Sequence, residues 1–220
     1  GYSRQTMNAR RLRTCAALCG LWVFGCRASG PGPGETFTVS VPYDVDSLEP
    51  GRRDRLSDFA VLSNAYEPLV TTDARLSIAP ALATRWENPD ERTWVFHLRR
   101  LVRFHDGRPL TPDDVVFSFR RRLDDPPLAA RRHLLAVEDV RRASDSSVVI
   151  RTRTPLADFL YRVRFIHVVP RGATRAALLS RVDGTGPYRV VSFRPGPEGG
   201  VQPNAAYCGA PPPVPPAVHR

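Results

Sequence analysis

An irregular α/β (α+β) fold is expected for this chain, and three observations predict it. Short runs of alternating apolar and polar residues recur along the sequence, which is the pattern of half-buried strands. Segments with a helical apolar period and clear start signals lie between them. The two kinds of segment do not alternate strictly, so a regular doubly wound sheet is not expected. With 25% charged and 42% hydrophobic residues in 220, the chain has a globular composition.

In chain order, Phe37, Val39 and Val41 alternate with Thr36, Thr38 and Ser40 and read as a strand. Residues 42–55 are rich in turn formers. Ser57 is placed to cap a helix carrying Phe59, Ala60, Leu62, Ala65 and Tyr66, which must stop before Pro68. Trp94, Phe96 and Leu98 alternate with Val95, His97 and Arg99, and Val102-Arg103-Phe104 is expected to continue that sheet into a turn at His105-Asp106-Gly107. Thr111-Pro112-Asp113-Asp114 carries a cap residue, a proline at the first helical position and two carboxylates at the positive helix end. Val115, Val116, Phe119 and Leu123 then form one apolar face, with Arg120, Arg121 and Arg122 read as largely off it and solvated. Val137 and Val140, then Val148 and Ile150, flank a turn at residues 143–147 and predict a hairpin. Thr154-Pro155 predicts a short helix through Tyr161, residues 165–169 a strand, and residues 173–181 a helix ended by Gly184-Thr185-Gly186-Pro187. Tyr188, Val190 and Phe193 resume a strand, while residues 195–200 and the proline run 211–216 read as extended or disordered.

Charge is uneven. The 32 basic residues are all Arg and outnumber 22 acids, giving +10. An inventory with no Lys is read as genome composition, and no nucleic-acid partner is expected. Residues 1–25 hold Arg4, Arg10, Arg11 and Arg13 and no acid, which leaves +6 on residues 26–220. This front end has the anatomy of an export signal, residues 1–25 being leader and signal. Met7 is read as its start, residues 8–13 as a basic region, and residues 14–24 as an apolar stretch too short to span a bilayer. Val23-Phe24-Gly25-Cys26 resembles a bacterial lipobox, so lipidation at Cys26 is expected, with residues 26–35 as a flexible tether. Cys15, Cys19 and Cys26 fall in or at the end of the signal; Cys208 is then alone, and no intrachain disulfide is expected.

No Walker loop, dinucleotide fingerprint, His-Glu-x-x-His or Gly-x-Ser-x-Gly run occurs. Neither catalytic constellation, cofactor nor metal is therefore expected. His97, His105 and Asp106 read as hydrogen-bonded sheet and turn residues.

Several motifs together resemble one family. Tyr66-Glu67-Pro68-Leu69-Val70, Pro80-Ala81-Leu82-Ala83 with Trp86, the run from Trp94 to Arg99, Val102 to Gly107, Pro109-Leu110-Thr111, Asp113 to Ser118, Gly184 to Tyr188 and Asn204-Ala205-Ala206-Tyr207 are similar, in order and spacing, to the signature of family 5 extracellular solute-binding proteins. This is the oligopeptide/dipeptide-binding class of bacterial ABC importers. Cys208 stands where that family usually has Trp.

The resemblance implies a periplasmic-binding-protein-like type II bilobal clamp that captures peptides and delivers them to ABC permease subunits, without catalysis. It implies a periplasmic or extracellular location on the cytoplasmic membrane, held there by the lipid anchor. Family members are more than twice this length, so the chain is expected to be an N-terminal fragment that binds peptide weakly. Residues 36–50 would be a first-lobe strand, 51–169 an inserted subdomain, 170–201 a return to the first lobe, and 202–220 an extended end. The segment facing an extended peptide falls near residues 54–58, with Leu56, Ser57 and Asp58 as ligand-binding candidates. Alternatives are a solute-sensing module of a regulator, or a relative that binds nickel complexes, haem or sugars.

Overall fold

The structure, a computed structural model, describes residues 37–45, 47–52, 56–124, 129–193 and 196–209. Its elements run β1 (Phe37–Val45), α1 (Leu56–Leu62), β2 (Val70–Thr72), β3 (Ile78–Pro80), β4 (Ala83–Asp90), β5 (Thr93–Leu98), α2 (Pro112–Asp124), a 3₁₀ helix (Ala129–Leu134), β6 (Val137–Ser144), β7 (Ser147–Thr152), α3 (Phe159–Val163), α4 (Arg175–Ser180), β8 (Tyr188–Phe193) and β9 (Gly196–Pro203).

Two hydrophobic cores organise these elements. The larger lies on a four-stranded sheet of order β4-β5-β7-β6, antiparallel throughout. Alternation in β5 puts Trp94, Phe96 and Leu98 on one face. Phe96 pairs with Val148, Trp94 with Ile150, and Ile150 in turn with Val140. α2 covers that face with Val115 and Phe119, and Phe159 and Val163 of α3 close the cluster.

The start of α2 has a defined chemistry. Thr111 donates to Asp114 Oδ2 from its backbone N–H at 2.8 Å and from its hydroxyl at 2.6 Å. This is the reach-back half of a capping box. Asp114 Oδ1 accepts the Arg171 N–H at 2.7 Å, and Ser118 accepts the Val169 N–H at 2.9 Å. The helix is thereby fixed to the segment that leads into the second core.

That second core contains Leu48, Leu62, Ala65, Tyr66, Val169, Leu178 and Val182, with Val190 and Phe193 of β8 packed on it. β8 belongs to a three-stranded sheet of order β1-β9-β8. Phe37 pairs with Val201, and Val201 with Val190, so residues far apart in sequence share one sheet.

Several expectations are corrected. Arg122 is 0% exposed, not solvated. It lies seven residues after Val115 and three after Phe119, hence on their face of α2. Residues 196–203 are the central strand β9, not extended or disordered chain. α3 begins at Phe159, after Asp158, and not at Thr154-Pro155. Residues 165–169 contribute a single bridge, Pro68 to His167, and Val102-Arg103-Phe104 only the bridge Arg103 to Pro109. The turn at Gly107 is present, with φ +90°, a conformation that glycine adopts without steric cost.

Candidate functional site

A cleft of about 460 Å³ opens beside α1. α1 supplies Phe59 and, just past its end, Ser63. Glu67 and Pro68 line the cleft, and their segment is held on both sides: Val168 N–H donates to Glu67 O at 3.0 Å, Leu82 N–H to Pro68 O at 3.1 Å, and Ala83 N–H to Leu69 O at 2.9 Å. Arg99 enters from the end of β5, its N–H bonded to Leu82 O at 2.8 Å. Arg164 follows α3, and Tyr207 closes another side.

Tyr207 is positioned by a chain of local constraints. Gly184-Thr185-Gly186 packs flat on residues 64–66: Gly186 N–H donates to Ala65 O at 2.9 Å and Tyr188 N–H to Asn64 O at 3.0 Å. A Cβ on Gly184 would lie 1.8 Å from Ala65 O, so only glycine fits. Asn204 then bonds Gly186 O through its side chain at 3.0 Å and Pro187 O through its N–H at 2.7 Å. The turn that follows delivers the Tyr207 hydroxyl to Glu67 Oε1 at 3.1 Å.

Glu67 is buried, and burial raises its pKa above the ordinary carboxylate value. Hydrogen bonding from Tyr207 and the charge of Arg99 act the other way. Thr185 lies beside the same carboxylate, but its hydroxyl makes no hydrogen bond of ordinary geometry. Burial first, then the Glu67 charge, pushes the Tyr207 phenol up to about 12. Arg164 donates from Nη1 to Thr72 Oγ1 at 3.2 Å and stacks over Phe165 at 4.4 Å. Its Nε is buried without a hydrogen-bond partner.

Leu56, Ser57 and Asp58 are the first three residues of α1. Ser57 is therefore inside the helix and not the residue that caps it. Asp58 is 6% exposed, and the side chains of Leu56 and Ser57 lie outside the described residues, as does Cys26. Glu67 and Tyr207 sit within motifs the sequence displays, where a polar group among apolar neighbours was a usable signal. Nothing local marks Arg99 or Arg164. His97 bonds Glu87 at 3.0 Å and His105 bonds Gly186 O at 3.1 Å, as sheet and turn residues. Among the described residues no group of three or more His, Cys, Asp or Glu could hold a metal ion.

The fold is that of the type II periplasmic-binding-protein clamps. The chain superposes with a TM-score of 0.68 on OppA of Burkholderia pseudomallei, at 23% identity, covering 77% of this chain and 38% of that one. Residues 77–218 match the profile described as bacterial extracellular solute-binding proteins, family 5 middle, and the chain belongs to that family. It is 35% identical over 103 residues to the periplasmic oligopeptide-binding protein OppA of Haemophilus influenzae, covering 46% of this chain and 19% of that protein. It is 29% identical to protein XP55 of Streptomyces lividans, over 97% of this chain and 42% of the relative. The chain thus spans less than half the length of these relatives.

Proposed function

We propose that the chain acts within the extracytoplasmic solute-binding component of an ABC importer, capturing peptides for delivery to a membrane permease, and that it catalyses no reaction. The observation that carries this reading is the family membership together with an oligopeptide-binding relative at 35% identity. An extended peptide pairs its backbone with the segment near residues 54–58 that runs into α1, a mode akin to strand addition that leaves side-chain identity loosely read, with Leu56–Asp58 offering the first-turn N–H groups that have no intrahelical acceptor. The reading keeps residues 36–50 and 170–201 as first lobe and 51–169 as an inserted subdomain, and the presence of two separate cores supports two such units. Leu62, Ala65, Tyr66 and Val169 of the inserted stretch share a core with Leu48, Leu178 and Val182.

The pairing is tested by following backbone amide signals of residues 56–58 during titration with tetra-alanine and with the same peptide N-methylated at its central amides. Saturable shifts with the first, and at least tenfold weaker binding of the second, are expected because N-methylation removes the donor. Equal binding of both, or unmoved signals, rejects backbone pairing there.

We further propose that Cys26 carries lipid and anchors the protein to the membrane, on the basic–apolar–small–Cys order of residues 10–26. Metabolic labelling with a fatty acid should mark the wild type and not Cys26→Ser; equal labelling of both sinks the idea.

A further inference from the structure

We propose that the cleft beside α1 is a binding site for a carboxylate, held by the guanidinium groups of Arg164 and Arg99. Arg164 carries the case. A guanidinium has five N–H donors in a planar fork that matches a carboxylate. Here one nitrogen is bonded to Thr72, the plane rests on Phe165, and Nε is buried with its hydrogen unused. Nε is as closed to a ligand oxygen as it is to water, so a carboxylate in the cleft meets Arg164 through its terminal nitrogens, Nη2 above all, since Nη1 is bonded to Thr72. No carboxylate of the described residues pairs with Arg164.

The rest of the cleft fits an anion with an apolar body. Arg99 adds a second positive charge to the lining, and Ser63 and Thr71 add hydroxyls. Glu67 is the one acid among the lining residues. Its Oε1 is already taken by the Tyr207 hydroxyl, and burial disfavours its charged form, so it opposes an anion less than a solvated carboxylate would. Phe59 and the prolines 68, 80 and 187 offer apolar walls. A volume of about 460 Å³ lies within the usual range for small-ligand sites. The occupant is therefore a compact carboxylic acid, either free or as the C-terminal residue of a peptide. The site stands whether or not residues 56–58 pair with a peptide backbone.

The test is an NMR titration of the 220-residue chain with N-acetylphenylalanine, its carboxamide and benzoate. N-acetylphenylalanine is expected to give saturable shifts at Phe59, Ser63 and Arg164. The carboxamide, equal in shape but uncharged, should bind at least tenfold more weakly. Arg164→Gln should weaken the acid at least tenfold, with Arg164→Lys intermediate. Benzoate binding as well as the amino-acid derivative assigns the site to free carboxylates; benzoate failing while the derivative binds assigns it to peptide C-termini, and either result supports the site. Equal binding of acid and carboxamide to the wild type overturns the proposal, as does the absence of saturable shifts at the cleft with the acid. Unchanged acid binding by Arg164→Gln overturns the assignment equally. These outcomes are read at cleft residues and with blocked single amino acids, so they separate from any failure of peptide pairing at residues 56–58.

Discussion

His167 sits where a positive charge is hardest to place. Its ring lies 5.3 Å from Phe59 and 6.3 Å from Tyr66, and Nε2 is 3.1 Å from the Ser63 hydroxyl. Burial, and after it the charge of Arg122, lowers its pKa to about 3. The unfolded chain has an ordinary histidine near 6.5. Between those values the unfolded state takes up a proton that the folded state refuses, so stability falls as pH falls through that window. Between pH 7 and pH 5 this one residue should cost about 2 kcal/mol. Urea unfolding at both pH values, in the wild type and in His167→Gln, isolates it, because His105, whose pKa burial also lowers, is present in both. An equal pH effect in the two proteins contradicts this account. Arg122 gives the companion lesson. Its place in a run of three arginines suggested solvent, while its spacing from Val115 and Phe119 already put it on the buried face.

At the scale of elements, β5 shows how much an alternating pattern conveys. Trp94, Phe96 and Leu98 share a face, as the pattern says, but they are not equally buried. Phe96 is enclosed, opposite Val148 and 6.4 Å from the Phe159 ring. Trp94 is half-buried near the strand's start, 5.3 Å from the same ring, with an indole N–H that finds no partner. Phe96→Ala should cost about 3–5 kcal/mol. Trp94→Ala should cost less, roughly 2 kcal/mol, since less of its surface leaves water on folding. Denaturant midpoints of the two variants decide the order, and a larger loss for Trp94→Ala reverses the assignment. β9 is the opposite case. Its glycines and prolines have poor strand propensity, yet it is the middle strand because β1 and β8 both pair with it.

Across the whole molecule, the Gly184–Gly186 loop is the joint. It packs on residues 64–66 beside the second core, accepts the His105 N–H at 2.8 Å from the far side, and anchors Asn204. Gly184→Ala would drive a methyl group into the Ala65 carbonyl. Backbone on both sides cannot yield cheaply, so a loss of roughly 3 kcal/mol or more is expected. Gly107→Ala provides the contrast: nothing lies within 4 Å of its Cβ, and only the positive φ is strained, a cost of about 1 kcal/mol. Thermal melting of the two variants should separate them clearly; equal midpoints would mean the loop moves aside.

What the sequence by itself determined was local and collective. The cap chemistry at Thr111–Asp114, the alternation of β5, the β6–β7 hairpin and the family signature were all readable because each depends on neighbours within a few residues or on motif order. A helix starting near Ser57 was readable too, but α1 begins one residue earlier, so Leu56 and Ser57 lie inside the helix and not ahead of it. Tertiary structure decided the rest. The centrality of β9 depends on a partner more than 150 residues away. The cleft gathers Phe59, Glu67, Arg99, Arg164 and Tyr207, which no spacing rule links. Periodicity records which side of an element meets water, but it carries no label for the distant group that side will meet. Long-range pairing and the convergence of charged side chains into a cleft are set only when the two cores close.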